Sequence, residues 1–333
     1  MASAFASSLK TEEEALKSSS PAQLDKDVSA KVDPLQQKWD AFSPLYADWM
    51  QQWSLPLAAQ LFTMLALTQP ATTSCGAVQL AAEHDSAPKT LLDVGCGPGL
   101  GTKHALSHLP SEWGIAGVDL SPAMVQRAQA LLVGDGQAAA PEAARVQLHA
   151  ASAQQLPFAD NSMHAAMSNL CLMLVPQPTL ALAELRRVLR PGGRLAFSVW
   201  GDASRSAMFT ATGKVLKAHG VVPPAAGGSS APPTHSNFAL ASDEEALREQ
   251  LGDAGFTDVI MWHSCAPVPA VTAAQAAAFR LATSLHPVHL APLPACLSPE
   301  ECRAIQADLQ AAYTPIMQRG TCLALDVLIV VAQ

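Results

Sequence analysis

A glycine-rich turn that follows an apolar, strand-like run is the part of this sequence with the clearest potential for binding chemistry. The segment Leu91–Thr102 holds the run and then four glycines at alternate positions, of which Gly95, Gly97 and Gly99 form the turn. Glycine permits positive φ and lets a ligand approach the backbone closely. The next apolar run ends in Asp119, where a carboxylate can accept hydrogen bonds from both ribose hydroxyls of a nucleoside. The two elements together predict a site for a nucleoside-containing ligand.

Three kinds of nucleotide site carry such turns, and their details separate them. A phosphate-binding loop needs Gly-Lys-Ser/Thr, whereas here Lys103 follows Thr102. A dinucleotide fold, as in an NAD-dependent reductase, needs a third glycine or alanine where this sequence has Leu100 or Thr102. A pyrophosphate would also be repelled by Asp93. The G-x-G-x-G form preceded by Asp93 instead suits a ligand that carries an ammonium group and no phosphate.

Four blocks across roughly residues 89 to 200 resemble one protein family in order and spacing. The chain is similar here to the class I S-adenosylmethionine-dependent methyltransferases, and within them to the methyltransferase-11 group that includes quinone-biosynthesis C-methyltransferase-like proteins. The matching blocks are residues 91–102, 117–124, 151–158 and 189–195. The resemblance implies S-adenosyl-L-methionine as the cofactor.

The resemblance also assigns roles to individual residues. The glycine turn would pass beneath the methionine part of the cofactor, Asp93 would face its amino group, and Asp119 would hold the ribose. Leu120 and Met124 would wall the adenine ring, and Ser152 stands where the family has an aspartate that accepts from the adenine amino group. The predicted cofactor-binding residues are Asp93, Gly95, Cys96, Gly97, Gly99, Asp119, Leu120, Met124, Ser152, Ala153, Gln154, Asn169 and Tyr46.

Each assignment has a purely structural alternative. Asp119 could cap the next helix, although Ser121, followed by proline, can serve as that cap. Met124 could be ordinary core. Trp39 and Tyr46 recur at helical spacing, which is typical of core packing, and the resemblance implies that their helix closes over the cofactor.

The fourth strand suggests the chemistry of the acceptor. Asn169 and Leu170, with the pair Met173-Leu174, should lie beside the methyl donor and form an apolar floor, so we expect an apolar acceptor and identify no catalytic base. His104 and His108 share a helix face but lack partners at ligand spacing, and no metal site is predicted. Arsenic methylation, which Cys302 and a neighbouring cysteine could suggest, would need further matched cysteines near the glycine turn.

Composition excludes other classes of function. The chain has 333 residues, 49% hydrophobic and 14% charged, which predicts a large buried core. A net charge of −8 without a Lys/Arg cluster disfavours nucleic acid as a partner. No apolar run reaches the roughly 18 to 20 residues of a membrane span, and no pattern specifies an oligomeric state. The partner predicted is a small-molecule methyl acceptor.

Cysteine usage and the N-terminus bear on the compartment. The seven cysteines form no C-x-x-C pair, which fits a reducing environment. The Ser/Ala-rich N-terminus hints at an organelle address, but three glutamates interrupt it and arginine is absent from the first hundred residues. The prediction is cytoplasmic, with an organelle as the alternative.

Alternating strand and helix patterns predict an α/β fold, a Rossmann-like doubly wound sheet with N-terminal helices and helical lid insertions. Among its elements we expect a helix at Pro122–Leu132 and strands that begin at Arg194 and at Thr257. The resemblance implies seven strands, mostly parallel, with the last one antiparallel between the fifth and sixth. The predicted segments are a disordered or loosely ordered tail (1–34) and a methyltransferase domain (35–333). Within the domain we expect cap helices (35–70), a cofactor-binding core (88–200), a flexible lid (201–240) and a helical insertion (270–318). Pro44 and Pro56 are expected to start or break turns.

The predicted function is in-line methyl transfer from S-adenosylmethionine to a small, apolar organic acceptor. Two alternatives stay open at this stage. One is a non-catalytic cofactor-binding protein that acts in assembly or regulation, motivated by Ser152 and by the lack of an acid or base on the fourth strand. The other is a protein methyltransferase.

Overall fold

The computed structural model describes residues 21–67, 89–133, 144–221, 237–267, 270, 272–284, 297–320 and 323–333. Within them the strands are Lys89–Val94 (β1), Trp113–Asp119 (β2), Val146–Ala150 (β3), Met163–Asn169 (β4), Leu189–Trp200 (β5), Ile260–Pro267 (β6) and Ala324–Ala332 (β7). The α-helices are Pro21–Leu45 (α1), Gln51–Met64 (α2), Leu100–His108 (α3), Pro122–Leu132 (α4), Pro178–Val188 (α5), Ala207–Ala218 (α6), Glu244–Asp253 (α7), Ala273–Ser284 (α8) and Pro299–Gln318 (α9).

The strands form a sheet in the order β3-β2-β1-β4-β5-β7-β6. The first five pair in parallel, and β7 pairs antiparallel with both β5 and β6. This arrangement confirms the predicted fold class and the predicted position of the last strand. The carboxyl ends of β1, β2 and β4 therefore meet at one edge of the sheet, where ligands bind in such folds.

Helices cover both faces of the sheet. Successive residues of β1 alternate, with Leu91 in one core cluster and Leu92 in the other, as the two-residue period of a strand requires. Residues of α2 and α3 complete the first cluster, and residues of α5 and α7 complete the second. All nine residues of β7 are buried, which explains why that strand is apolar at every position except Asp326.

Element bounds follow the local chemistry. Helix α4 has the predicted bounds because the side chain of Ser121 accepts from the amide of Met124 and proline occupies the first turn. Strand β5 begins at Leu189, five residues before the predicted start at Arg194, and runs through the Pro-Gly-Gly segment. Strand β6 begins at Ile260, later than the predicted Thr257, after Asp258 with φ of 47°.

The N-terminal helices are continuous around a π-helical turn, Tyr46–Met50, between α1 and α2. Helix α1 begins at Pro21, within the segment for which a tail is predicted; residues 1–20 of that segment lie outside the described residues. Pro44 lies inside α1, two residues before the π-turn begins, and proline is a common cause of such a disturbance of the helical hydrogen bonds. The expectation for Pro56 is wrong, because it lies within α2, in the second turn, without ending the helix.

The two predicted additions to the core contain helices. Helix α6 occupies part of the predicted flexible lid, of which residues 222–236 lie outside the described residues. Helices α8 and α9 occupy the predicted helical insertion, and they pack with α6 around a third apolar cluster. The division into functional segments stays a prediction. None of the described helices is both long and apolar enough to cross a bilayer.

Candidate functional site

The glycine turn after β1 has the backbone conformation that its sequence predicts. Gly95, Gly97 and Gly99 have φ of 75°, 54° and 91°, values that residues with a Cβ rarely adopt. A Cβ on Gly95 would lie 2.5 Å from the Cβ and Sγ of Cys171. The amides of Gly95 and Cys96 both donate to the carbonyl of Val118, at 2.8 and 3.0 Å. The turn is thereby held flat against the end of β2.

Asp119 ends β2 and faces this turn. Its Oδ2 accepts from the amide of Gly97 and its Oδ1 from the amide of Ser121, each at 2.9 Å. Ser121, and not Asp119, caps helix α4, so the capping alternative for Asp119 is wrong. Burial raises the pKa of Asp119 to about 6 although these two amides oppose the rise. Each carboxylate oxygen accepts one bond here and has a further lone pair for a ligand.

Asp93 is the second buried carboxyl group of the site. It is 3% exposed and its Oδ2 accepts from the hydroxyl of Thr102 at 2.6 Å. Burial raises the pKa of Asp93 to about 7, more than the Thr102 hydrogen bond lowers it. A buried carboxyl group of this kind gains most from a cationic partner.

The larger of two cavities at this edge of the sheet has an empty volume of about 730 Å³. Nine of the predicted residues line it: Tyr46, Gly95, Gly97, Asp119, Leu120, Met124, Ser152, Ala153 and Asn169. Leu35 and Trp39 of α1 line it as well, as do the apolar residues 174–176 after β4. The cavity is therefore mostly apolar, with Asp119 as its ionised group.

A smaller cavity, with an empty volume of about 370 Å³, lies on the other side of the same turn. Tyr46, Gly95 and Asn169 line both cavities. The smaller cavity adds Asp93 and Cys96 from the predicted set, together with residues of α2. The two cavities thus wrap around one glycine turn, with an acidic residue in each.

The N-terminal helices close over this edge. Trp39, Phe42 and Tyr46 pack edge to face, with ring centroids 5.7 to 6.2 Å apart, and Trp39 and Tyr46 line the larger cavity. Asn169 joins the sheet to α2, because its Nδ2 donates to the carbonyl of Ser54 at 3.1 Å and its Oδ1 accepts from Ser198 at 2.7 Å. Trp39 and Tyr46 therefore contribute both to the packing of the N-terminal helices and to the wall of the larger cavity.

Three sequence expectations are not met by the cavity linings. Gly99 lines neither cavity; a Cβ there would lie 2.9 Å from Ala128 of α4, so its role is close helix packing. Gln154 is buried beside the larger cavity without lining it, and its Oε1 accepts from the amide of Gln177. Met173 packs into the core clusters, whereas Leu174 lines the cavity.

Ser152 uses its hydroxyl locally. Its Oγ accepts from the amide of Gln154 at 3.2 Å, a short turn that orients the segment after β3. Leu170, at the end of β4, has φ of 51° and is held there because its amide donates to both the carbonyl and the Oγ of Ser198, each at 3.0 Å. Strained residues of this kind concentrate at functional sites.

Sequence reasoning missed several residues of the site: Leu35, Asp40, Gln51 and Ser54. All of them lie on the N-terminal helices, outside the family-like blocks. For Asp40 the available signal was its position directly after Trp39. Gln51 lies five residues after Tyr46, which is not α-helical spacing, and only the π-turn between them brings it to the same site.

The lining offers little acid or base chemistry. Among the described residues that line the larger cavity, the ionisable groups are Tyr46, Asp119 and Cys171. Burial raises the pKa of Tyr46, and it raises the pKa of Cys171 to about 12, so both are protonated near neutral pH. The arrangement can enclose, orient and dehydrate a ligand, but it offers no histidine or lysine as a proton acceptor.

Parts of this chain are similar in sequence to known proteins. The family described as "Methyltransferase domain" matches residues 92–197. The chain is 32% identical over 110 residues to an arsenite methyltransferase of Halobacterium salinarum, covering 33% of this chain and 27% of that protein. It is 32% identical over 171 residues to the O-methyltransferase resE of Aspergillus sclerotiorum, covering 48% of this chain and 58% of that protein.

Among solved structures, the [4+2]-cyclase SpnF is similar with a TM-score of 0.53 and 20% identity, covering 90% of this chain and 94% of that chain. At this identity the likeness concerns the fold. The matches span about a quarter to three fifths of the two curated relatives' own length. The family match, residues 92–197, runs from within β1 to within β5 and includes the glycine turn and Asp119, but it leaves out the N-terminal helices.

Proposed function

Because the chain carries a class I S-adenosylmethionine-dependent methyltransferase domain, we propose that it transfers a methyl group from S-adenosylmethionine to a small, apolar organic acceptor. The observation that supports this proposal is the pair of adjoining cavities around the glycine turn, each with one buried carboxyl group, Asp93 in one and Asp119 in the other.

The residues present fit the cofactor. A Cβ on Gly95 would collide with Cys171, so the close packing of the turn against Cys171 requires glycine. Asp119 keeps acceptor capacity for ribose hydroxyls, and Asp93 lies in the smaller, polar cavity, where it suits the amino group. The apolar lining around Leu120 and Met124 suits the adenine ring.

The proposed mechanism relies on positioning. When bound, S-adenosylmethionine supplies a sulfonium whose methyl carbon is already electrophilic. The protein then has to hold a nucleophile in line, about 3 to 3.5 Å from that carbon, in a site from which Trp39 and Tyr46 help to exclude water. Since no histidine or lysine is among the described lining residues, the acceptor should be nucleophilic without a strong base, as an enol, a phenol or an activated carbon is.

An organic acceptor suits the cavity better than arsenite does. Arsenite is a thiophilic substrate, and thiolate is the metal-binding form of cysteine. The two cavity-lining thiols are Cys96 and Cys171, and burial raises the pKa of each, that of Cys171 to about 12. Both are therefore protonated at neutral pH, which disfavours arsenic chemistry at this position.

The rival proposal is a cofactor-binding protein without methyl transfer. Ser152 in place of the family's aspartate motivates it, and the solved structure with the same fold is named a cyclase. The deciding experiment incubates the purified protein with methyl-labelled S-adenosylmethionine and a cell extract. Label in a small organic product supports the proposal, label in protein indicates a protein methyltransferase, and cofactor binding without transfer supports the rival.

The variants Asp119→Ala and Asp253→Ala provide the matched pair for this experiment. Asp253 is exposed at the end of α7, so its substitution should leave binding and labelling unchanged. Asp119→Ala should weaken cofactor binding by at least about tenfold, because a charge-assisted hydrogen bond is lost. Absence of binding by the unaltered protein in calorimetry, or equal binding by both variants, would contradict the proposed function.

A further inference from the structure

The π-helical turn at Tyr46–Met50 changes the hydrogen bonds at the start of α2. In an α-helix the amide of Gln51 would donate to the carbonyl of Ala47. Here it donates to the carbonyl of Tyr46 instead, one residue further back. The carbonyl of Ala47 accepts from the side chain of Gln51, with Nε2 at 2.7 Å. The π-turn thus allows Gln51 to bind its own helix through its side-chain nitrogen.

This bond fixes the orientation of the Gln51 amide. Because the Ala47 carbonyl can only accept, the side-chain nitrogen must face it and the oxygen must face the other way. That oxygen, Oε1, is buried and has no hydrogen-bond partner among the described residues. A buried carbonyl oxygen without a partner is unfavourable, so such an atom marks a place where a donor is expected.

Gln51 lines the smaller cavity together with Asp93 and Ser54. No lysine, arginine or histidine is among the described residues of this lining. Its other ionisable groups, Tyr46 and Cys96, have raised pKa values because they are buried, and they are neutral near pH 7. The cavity therefore combines one carboxylate with an unsatisfied carbonyl oxygen, and it holds no positive charge of its own. This combination suits a cation that carries several N–H donors.

We infer that Gln51 is a specificity-determining residue that accepts a hydrogen bond from the ammonium group of the bound cofactor's amino-acid part, beside Asp93. The inference rests on the proposed function, which supplies the cofactor. It goes further by assigning an acceptor to the N-terminal helices, outside residues 92–197 that match the family. The same helices wall the larger cavity through Trp39 and Tyr46, so they contact the ligand at both ends.

The test compares two ligands and three proteins by isothermal titration calorimetry. S-adenosylhomocysteine carries the ammonium group, whereas 5′-methylthioadenosine keeps the nucleoside and the sulfur and lacks the amino-acid part. The proteins are the unaltered chain, Gln51→Met, which keeps the side-chain length without an acceptor, and Gln52→Ala as a control. Gln52 is the exposed neighbour on the same helix and lines neither cavity. Thermal melting of each variant verifies that it folds.

The expected result is selective. Gln51→Met should bind S-adenosylhomocysteine about tenfold more weakly, and it should bind 5′-methylthioadenosine within about twofold of the unaltered protein. Gln52→Ala should match the unaltered protein for both ligands. Equal loss for both ligands would assign Gln51 a packing role and overturn the inference, as would no loss for either. If the unaltered protein binds neither ligand, the proposed function itself fails, which is a different outcome.

Discussion

Asp40 of helix α1 binds the start of helix α4 through Ser121. One carboxylate oxygen, Oδ1, accepts from the Ser121 hydroxyl and also from the amide of Ala123 at 3.2 Å. Arg127 of α4 reinforces the contact, because its Nε donates to the hydroxyl of Ser43 at 3.2 Å. Asp40 of the N-terminal helix thereby supplements the cap of α4 next to Asp119. This tie connects α1, whose Trp39 lines the larger cavity, to α4, whose Met124 lines it as well.

The first prediction concerns this tie. Asp40→Ala should lower stability by about 1 kcal/mol, the usual value of a lost cap, and weaken S-adenosylhomocysteine binding several-fold, because the cover over the larger cavity loosens. Asp40→Asn keeps an acceptor oxygen and should retain most of the binding. Asp33→Ala, an exposed position on the same helix, is the control. Calorimetry and urea denaturation measure both effects, and identical behaviour of Asp40→Ala and Asp33→Ala would argue against the tie.

The second prediction concerns the pH dependence of stability. Burial raises the pKa of Asp93 to about 7, above its unfolded value of 3.8. The stability associated with this group is therefore fully present below about pH 4 and is lost as the pH rises through about 7. Asp93→Asn removes the penalty, so it should be more stable than the unaltered protein at pH 8, by an amount on the order of a few kcal/mol. Urea denaturation at pH 5 and pH 8 tests this, and the difference should shrink at pH 5.

The third prediction concerns the pH dependence of binding. The ammonium of the cofactor favours the ionised form of Asp93, so affinity for S-adenosylhomocysteine should rise as the pH increases from 5.5 to 8, by about tenfold per pH unit at most. In Asp93→Asn the affinity should be lower and nearly constant above pH 7, and the pH dependence that is left should lie near pH 6, where Asp119 titrates. Titrations at matched ionic strength measure it. A pH-independent affinity of the unaltered protein would separate Asp93 from the cation.

The fourth prediction concerns the glycine turn. Gly95→Ala places a Cβ 2.5 Å from Cys171 at a φ of 75°, so it should destabilise the protein by about 3 kcal/mol. Gly213 lies within α6 with nothing within 4 Å of the Cβ position. Gly213→Ala should therefore stabilise the protein by about 0.5 to 1 kcal/mol, the helix propensity difference. Opposite shifts in the urea midpoint are expected, and a shared direction would be inconsistent with this geometry.

The fifth prediction concerns His263 on β6. Its Nδ1 lies 2.6 Å from Asp326 and its Nε2 lies 2.8 Å from Glu244. Burial disfavours the charged ring, but the bonds to Glu244 and Asp326 outweigh it and raise the pKa of His263. The resulting stability is fully present below pH 6.5, the ordinary value, and is lost as the pH rises through the raised pKa.

The variant His263→Gln should therefore lose about 1 kcal/mol at pH 6, and less at a pH above the raised pKa of His263. Asp202 and Arg205 stay unaltered in the comparison, because both interact with the group formed by His263, Asp326 and Glu244. The charge of Asp202 acts on His263, and Arg205 lies 3.9 Å from Asp326. His108→Gln, at an exposed position, is the control. Melting curves at pH 6 and at a pH above the raised pKa of His263 measure the effect.

Local patterns predicted most of the sheet and its helices. The helix Pro122–Leu132 was predictable to the residue because a serine cap and a proline define its start. The start of β5 was not, because Pro191 and the glycines after it are typical of a turn. In the structure they form an irregular stretch within β5, between Leu189, which pairs with Met163, and Arg194, which pairs with Ala165. The expectation that Pro56 starts or breaks a turn is wrong for a related reason, since the packing of α2 outweighs the loss of one helical hydrogen bond.

Residue types and their spacing along the chain are enough to predict the glycine turn and the carboxylate that follows the second strand. The tertiary structure alone decided that Asp40 binds Ser121 and that Gln51 meets Asp93 in one cavity. A helical pattern shows which face is apolar, but it does not show which neighbour that face meets. Contacts between residues far apart in sequence follow from how the N-terminal helices pack on the sheet edge, and that packing is a property of the whole fold.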